Sequence, residues 1–156
     1  MQTGDKVVRP NNEILLPMLD DRLAKFIITY DDRKNISYPV GMYAGECLSL
    51  VKLWIAQTFS IIPPSSGTGT AYGYWKNFPK PLPDIFMKVS RNDGIESGDI
   101  VIWNKSTVLP HGHISIAVSI FENFFISFDQ NWLGYKKCNL VLHDFYGLAG
   151  YLRPKV

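Results

Sequence analysis

The apolar residues change period partway along the chain, and this change narrows the possible folds more than any other feature. Up to Phe59 they recur at spacings of three and four. Leu19, Leu23, Phe26 and Ile27 predict a first helix over 19–30. Cys47, Leu50, Val51, Trp54 and Ile55 mark one face of a second over 46–59, a stretch free of Gly and Pro. Asp31-Asp32-Arg33-Lys34-Asn35 breaks the first pattern, and Ile62-Pro63-Pro64 ends the second. From Asp99 onward the period is two, which predicts strands over 99–103, 113–120 and 123–129 and a last one around 150–152. Helices followed by an antiparallel sheet make an α+β domain. Between the two regimes, 70–88 mixes Tyr72, Tyr74, Trp75 and Phe78 with Pro79, Pro81 and Pro83, the composition of a structured loop able to wall a groove.

Composition supports one domain over 1–156, because 46% apolar and 13% aromatic residues suffice for a core and exclude disorder. Sixteen Lys and Arg against fourteen Asp and Glu give a net charge of +2, too small and too dispersed for nucleic-acid binding. No apolar run approaches the roughly 18 residues of a membrane span, since Ile14-Leu15-Leu16 stops at Pro17. Residues 1–12 form a polar arm with no apolar core of a secretory leader. Two cysteines, Cys47 and Cys138, are too few for a disulfide framework or a four-thiolate zinc site.

Each thiol is therefore of individual interest. Cys47 follows Gly41 and Gly45 and opens the second helix, where free N–H groups and the macrodipole favour a thiolate. Position alone leaves two readings, an activated nucleophile and a small buried residue on the stripe of Leu50 and Val51. A thiolate that cleaves an amide needs a base that returns the proton to the leaving amine. His113 heads a strand and would project from a rigid element, His111 beside Pro110 reads as solvated, and His143 falls in the loop after Leu142. Alternation puts Asp129 and Asn131 on one face, with Gln130 pointing away, so a carboxylate is available to orient an imidazole. Cys138 reads as a small buried residue near the last strand, leaving Cys47 reduced.

Four segments in order, Gly45-Glu46-Cys47, Gly98-Asp99-Ile100-Val101-Ile102-Trp103, Gly112-His113-Ile114-Ser115-Ile116 and Phe128-Asp129-Gln130-Asn131-Trp132, resemble a CHAP domain. CHAP domains are cysteine, histidine-dependent amidohydrolases or peptidases of the papain-like superfamily, found in phage lysins and bacterial wall hydrolases. The chain end, from Cys138-Asn139-Leu140 through His143 and Tyr146 to Gly150-Tyr151-Leu152-Arg153-Pro154, is similar to the close of phage endolysin members, so the resemblance covers about 19–154. It implies a papain-like, NlpC-like fold in which N-terminal helices pack on an antiparallel sheet of about five or six strands. It also implies Cys47 as nucleophile, His113 as general base and acid, Asp129 as the orienting group and Asn131 as the last member of the polar cluster. The implied substrate is an amide of bacterial peptidoglycan, cut as an N-acetylmuramoyl-L-alanine amidase or an endopeptidase, with Tyr72, Tyr74, Trp75 and Trp132 as groove walls.

Two departures stand out. Many relatives carry Gln where this chain has Glu46, whose charge would oppose a thiolate if it turned inward. Some bind calcium through acids just upstream of the nucleophile, whereas 37–44 holds no Asp or Glu, so neither calcium nor any other cofactor is expected. Two other functions fit the residue types: a zinc-dependent wall hydrolase using His111 and His113 with Asp129, and a non-catalytic virion or wall-binding component. Without a leader, the expected route is the host cytoplasm until holin-mediated release, or a place on a virion, as a monomer or part of a larger phage protein.

Overall fold

The structure is a computed structural model that describes residues 19–155 and the backbone of residues 7–8. The first helix, α1 (Asp21–Tyr30), starts where the Asp20 side chain accepts the Arg22 N–H at 2.9 Å, a capping bond that satisfies one of the helix's free donors. Leu23, Phe26 and Ile27 are its buried face. The second, α2 (Cys47–Phe59), begins at the nucleophile candidate itself and ends at Ser60, whose φ of 54° turns the chain out of the helix. Two short helices follow, α3 (Gly73–Lys76) and α4 (Leu82–Ile85).

The remaining elements form one antiparallel sheet. Its strands are β1 (Val7–Val8), β2 (Phe86–Ser90), β3 (Ile100–Trp103), β4 (His113–Ile120), β5 (Phe125–Asp129), β6 (Asn139–His143) and β7 (Leu148–Pro154), in the spatial order β1-β6-β5-β4-β3-β7-β2. On one face, Leu50, Val51 and Ile55 of α2 and Phe26 of α1 pack against Ile102, Ile114, Ile116 and Phe128. On the other, Val101, Trp103, Phe125, Val141, Leu148 and Tyr151 make a second core. Burial on both faces is why β3 is buried throughout and reads as a continuous apolar run. Near the far edge, the Arg153 guanidinium grips Asp99 with two bonds of 3.0 and 2.8 Å, tying β7 to the residue before β3.

The α+β class and the helices-on-sheet arrangement agree with the sequence reading, with three differences. The stretch 70–88 holds α3, α4 and the start of β2, because β2 is an edge strand whose Met87 and Lys88 face solvent in succession and hide the alternation. β6 was not separable from its flanks, since Leu140 and Val141 are both buried, on opposite faces. Within the expected polar arm, Val7 and Val8 pair with Val141 and Leu140, and the rest of the arm lies outside the described residues.

Phe26 contacts Trp54 at a ring separation of 5.1 Å and Phe128 at 6.1 Å, so it joins both long helices to β5. Phe26→Ala is expected to lower unfolding free energy by about 3–5 kcal/mol, measured by urea titration.

Candidate active site

The segment leading into α2 is held from several sides. Gly45 has a φ of 82°, and a Cβ there would sit 3.0 Å from Asn35 Oδ1. Ser49 Oγ, in the first turn of α2, donates back to the Tyr43 carbonyl at 2.7 Å. Gln130 makes the longest-range tie: its Nε2 donates to the Glu46 carbonyl at 2.8 Å and the Ile36 carbonyl at 3.0 Å, and its Oε1 accepts the Ile36 N–H at 2.9 Å. A buried amide thus fixes the residue before Cys47, and with it the first turn whose N–H groups lack helical partners. Sequence reasoning missed Gln130 because it extended the period of two past the strand. β5 ends at Asp129, and Asn131 adopts a φ of 66°, so Asp129 and Asn131 do not share a strand face. Asn131 is half-buried, donates its backbone N–H to Tyr135 at 2.8 Å, and its side chain makes no hydrogen bond among the described residues.

His113 is the first residue of β4, opposite Trp103. The preceding Gly112 has a φ of 72°, and a Cβ there would lie 2.6 Å from the Trp103 carbonyl, so only glycine brings the chain in this close. The His113 ring is buried, with Nε2 2.6 Å from Asp129 Oδ2 and with the Cys47 thiol near enough to act on its charge. Nε2 being engaged, Nδ1 is the ring nitrogen left for the thiol. Asp129 Oδ1 accepts from Ser127 Oγ, and Oδ2 is also approached by His143 Nε2 at 3.1 Å. His143 is therefore not a loop residue: it ends β6 and is buried, and nothing in its local sequence distinguishes it from a surface histidine.

Electrostatics follow from this enclosure. Burial disfavours the His113 imidazolium, but the nearby Cys47 charge and the hydrogen bond to Asp129 outweigh it and raise the ring to about 9. Burial likewise opposes ionised Asp129, yet His143 and His113 beside it hold the carboxyl well below the usual carboxylate range. At Cys138, burial pushes the thiol up to about 12, with Asp31 and Asp129 adding to the effect. Its Sγ faces Gln130 Oε1 at 3.4 Å, and both cysteines are free.

A cleft of about 510 Å³ opens at the thiol, with Tyr43, Glu46, Cys47, Lys52, Ser66 and His111 among the residues that line it. The four aromatic residues expected to wall it do not line it. Tyr74 is fully buried and donates its hydroxyl to the Pro64 carbonyl at 2.8 Å. Trp132 is buried against Trp103, His113 and His143. Trp75 lies against Gly150 and under the Lys88 ammonium, 4.2 Å from the ring, while Tyr72 is half-buried beside His111, whose carbonyl accepts its N–H at 3.2 Å. Tyr74 and Trp132 place their apolar area in the two cores. The Glu46 side chain is turned out toward Lys136, 3.8 Å away. His111 is exposed while His113 is buried on Asp129, and among the described residues no group of three or more His, Cys, Asp or Glu is placed to hold a metal ion.

No protein-family model and no curated protein matches the chain. Solved structures do. A wild-type endolysin, LysIME-EF1, superposes with a TM-score of 0.67 at 23% identity, over 90% of this chain and 64% of that one. Ly7917, solved with the hydrolyzing product of MDP, gives 0.65 at 14% identity over 86% and 62%, and Ly7917 alone gives 0.65 at 14% over 85% and 60%. This chain spans less than two thirds of the length of each, and what it shares with them is the fold.

Two outcomes are expected here. The His113 ring should titrate at about pH 9 in side-chain NMR and at lower pH in Cys47→Ala, which removes the largest raising influence. Because that value lies above the ordinary 6.5, the stability it confers is full below pH 6.5 and lost as pH rises through about 9. Gln130→Met should cost about 1–3 kcal/mol in denaturant unfolding, since it leaves the Ile36 N–H without its acceptor and takes one of the donors from the Ile36 and Glu46 carbonyls.

Proposed function

We propose that this chain is a cysteine amidohydrolase of the CHAP type that hydrolyses an amide bond in peptidoglycan peptides. The observation that carries the proposal is the convergence of Cys47, His113 and Asp129, from α2, β4 and β5, beside an open cleft. The Cys47 thiolate adds to the substrate carbonyl, and the oxyanion forms beside the first free N–H groups of α2. The His113 imidazolium then donates its proton to the amine as the C–N bond breaks, leaving a thioester on Cys47. His113, now neutral, takes a proton from water, the hydroxide adds to the thioester, and the acid is released with the thiolate regenerated. Asp129 holds the ring orientation and balances the imidazolium throughout.

The peptidoglycan substrate is supported by the shared fold of an endolysin and of Ly7917, whose structure holds the hydrolyzing product of MDP. Amidase and endopeptidase chemistry use the same site and differ in how the cleft seats the peptide. Delivery through a holin or on a virion belongs to the same proposal.

On purified walls, Cys47→Ser is expected to reduce turbidity loss and amine release by on the order of 10³-fold or more. Iodoacetamide should do the same to the wild type, and EDTA should leave the rate unchanged. Inhibition by EDTA with resistance to iodoacetamide would reject the cysteine mechanism. Mass spectrometry of the released muropeptides assigns the bond, because a freed lactyl carboxyl and a freed peptide amine differ in mass and fragmentation.

A further inference from the structure

We infer that His143 is a positioning residue of this site, the fourth polar member of an array that runs from partly exposed Cys47 through buried His113 and Asp129 to His143. The inference rests on the nucleophile and base reading above and adds a residue to it. Three observations carry it. First, His143 Nε2 and His113 Nε2 both meet the same oxygen, Asp129 Oδ2, at 3.1 and 2.6 Å, while Ser127 Oγ donates to Oδ1. An ionised carboxylate only accepts, so both Nε2 atoms carry protons and His143 donates. Second, His143 is as buried as the carboxylate it serves. Its ring is enclosed by Trp132 at 4.5 Å, Trp103 at 4.7 Å and Phe125 at 5.2 Å, all uncharged. Asp129 is the charged group within its hydrogen-bonding reach among the described residues. Third, the place expected for Asn131 in the cluster is vacant of any side-chain hydrogen bond from that residue, and His143 supplies the polar contact instead.

The consequence is a division of Asp129's charge between two imidazoles. With His143 in place, Oδ2 is pinned in the position from which it faces His113, and its pull on the His113 proton is shared. The proton that must reach the leaving amine is therefore held less tightly than a lone Asp–His pair would hold it. A residue that only filled space would provide the packing among Trp103, Phe125 and Trp132 without this electrical effect.

The experiment compares His143→Phe, which keeps a ring but no donor, with His143→Gln, whose amide nitrogen reaches about as far as Nε2. Two readouts are taken on each folded protein: kcat and KM on purified walls, and the pH profile of Cys47 alkylation by iodoacetamide, which needs no substrate. His143→Phe is expected to lose on the order of 10- to 100-fold in kcat with KM little changed, the effect of one charge-assisted bond. In the same variant the upper inflection of the alkylation profile should move to higher pH, because Asp129 then acts on His113 alone. His143→Gln should return both toward the wild type. If the Phe variant does not fold, His143→Asn, too short to reach Oδ2, takes its place. A folded donor-free variant with wild-type kcat and an unmoved inflection would overturn the inference, and so would a Gln variant that behaves like it. Either result leaves the Cys47→Ser test untouched, so failure here is distinct from failure of the cysteine mechanism.

Discussion

A carboxylate sealed from water governs this structure. Asp129 has no exposed surface, and an unpaired charge in that position would be among the costliest features a small domain could carry. It is tolerable because donors converge on it from three strands: Ser127 of β5 itself, His113 of β4 and His143 of β6. The neighbouring strands are therefore locked in the register that brings those side chains together. The same demand places a histidine at the head of β4, within range of the thiol at the head of α2. The buried charge that must be compensated for the chain to fold is thus also one of the groups, with Cys47, that favour the protonated imidazole.

The second layer of organisation is backbone, not charge. The thiol sits on the first residue of α2, so its position depends on how the chain enters that helix. Gln130 joins this entry to the end of β5 through the carbonyls of Ile36 and Glu46. The amide is next in sequence to Asp129, so one dipeptide sets both halves of the site: Asp129 holds the His113 ring, and Gln130 anchors the approach to Cys47. The double-sided sheet makes this rigid, because β4 and β5 have packed cores on both faces and little freedom to shift.

Much of this was legible in the sequence, and the parts that were not share a cause. The two long helices announced themselves through uninterrupted periodicity, and β4 through Ile114, Ile116 and Val118 behind a histidine. Cys47, His113 and Asp129 could be singled out because each heads or ends a regular element, where a polar residue is conspicuous. His143 and Gln130 were hidden because their partners are remote: His143 matters only through β5, and Gln130 only through the loop before α2. Period-two reasoning failed at Asn131, where the chain had already left the strand. The aromatic residues misled for a related reason. Tyr74 and Trp132 have the composition of a groove wall, but composition does not tell which side of a wall faces water, and both face inward.

The contrast between the two thiols has a practical corollary. Cys138 lies in the core, protonated and out of reach, whereas Cys47 opens onto the cleft. A maleimide or haloacetyl dye added to the native protein should therefore stop at one equivalent, and that equivalent counts folded molecules with an open cleft in any preparation. The second equivalent becomes available only as the core opens, which turns Cys138 into a built-in clock for unfolding that needs no engineered label.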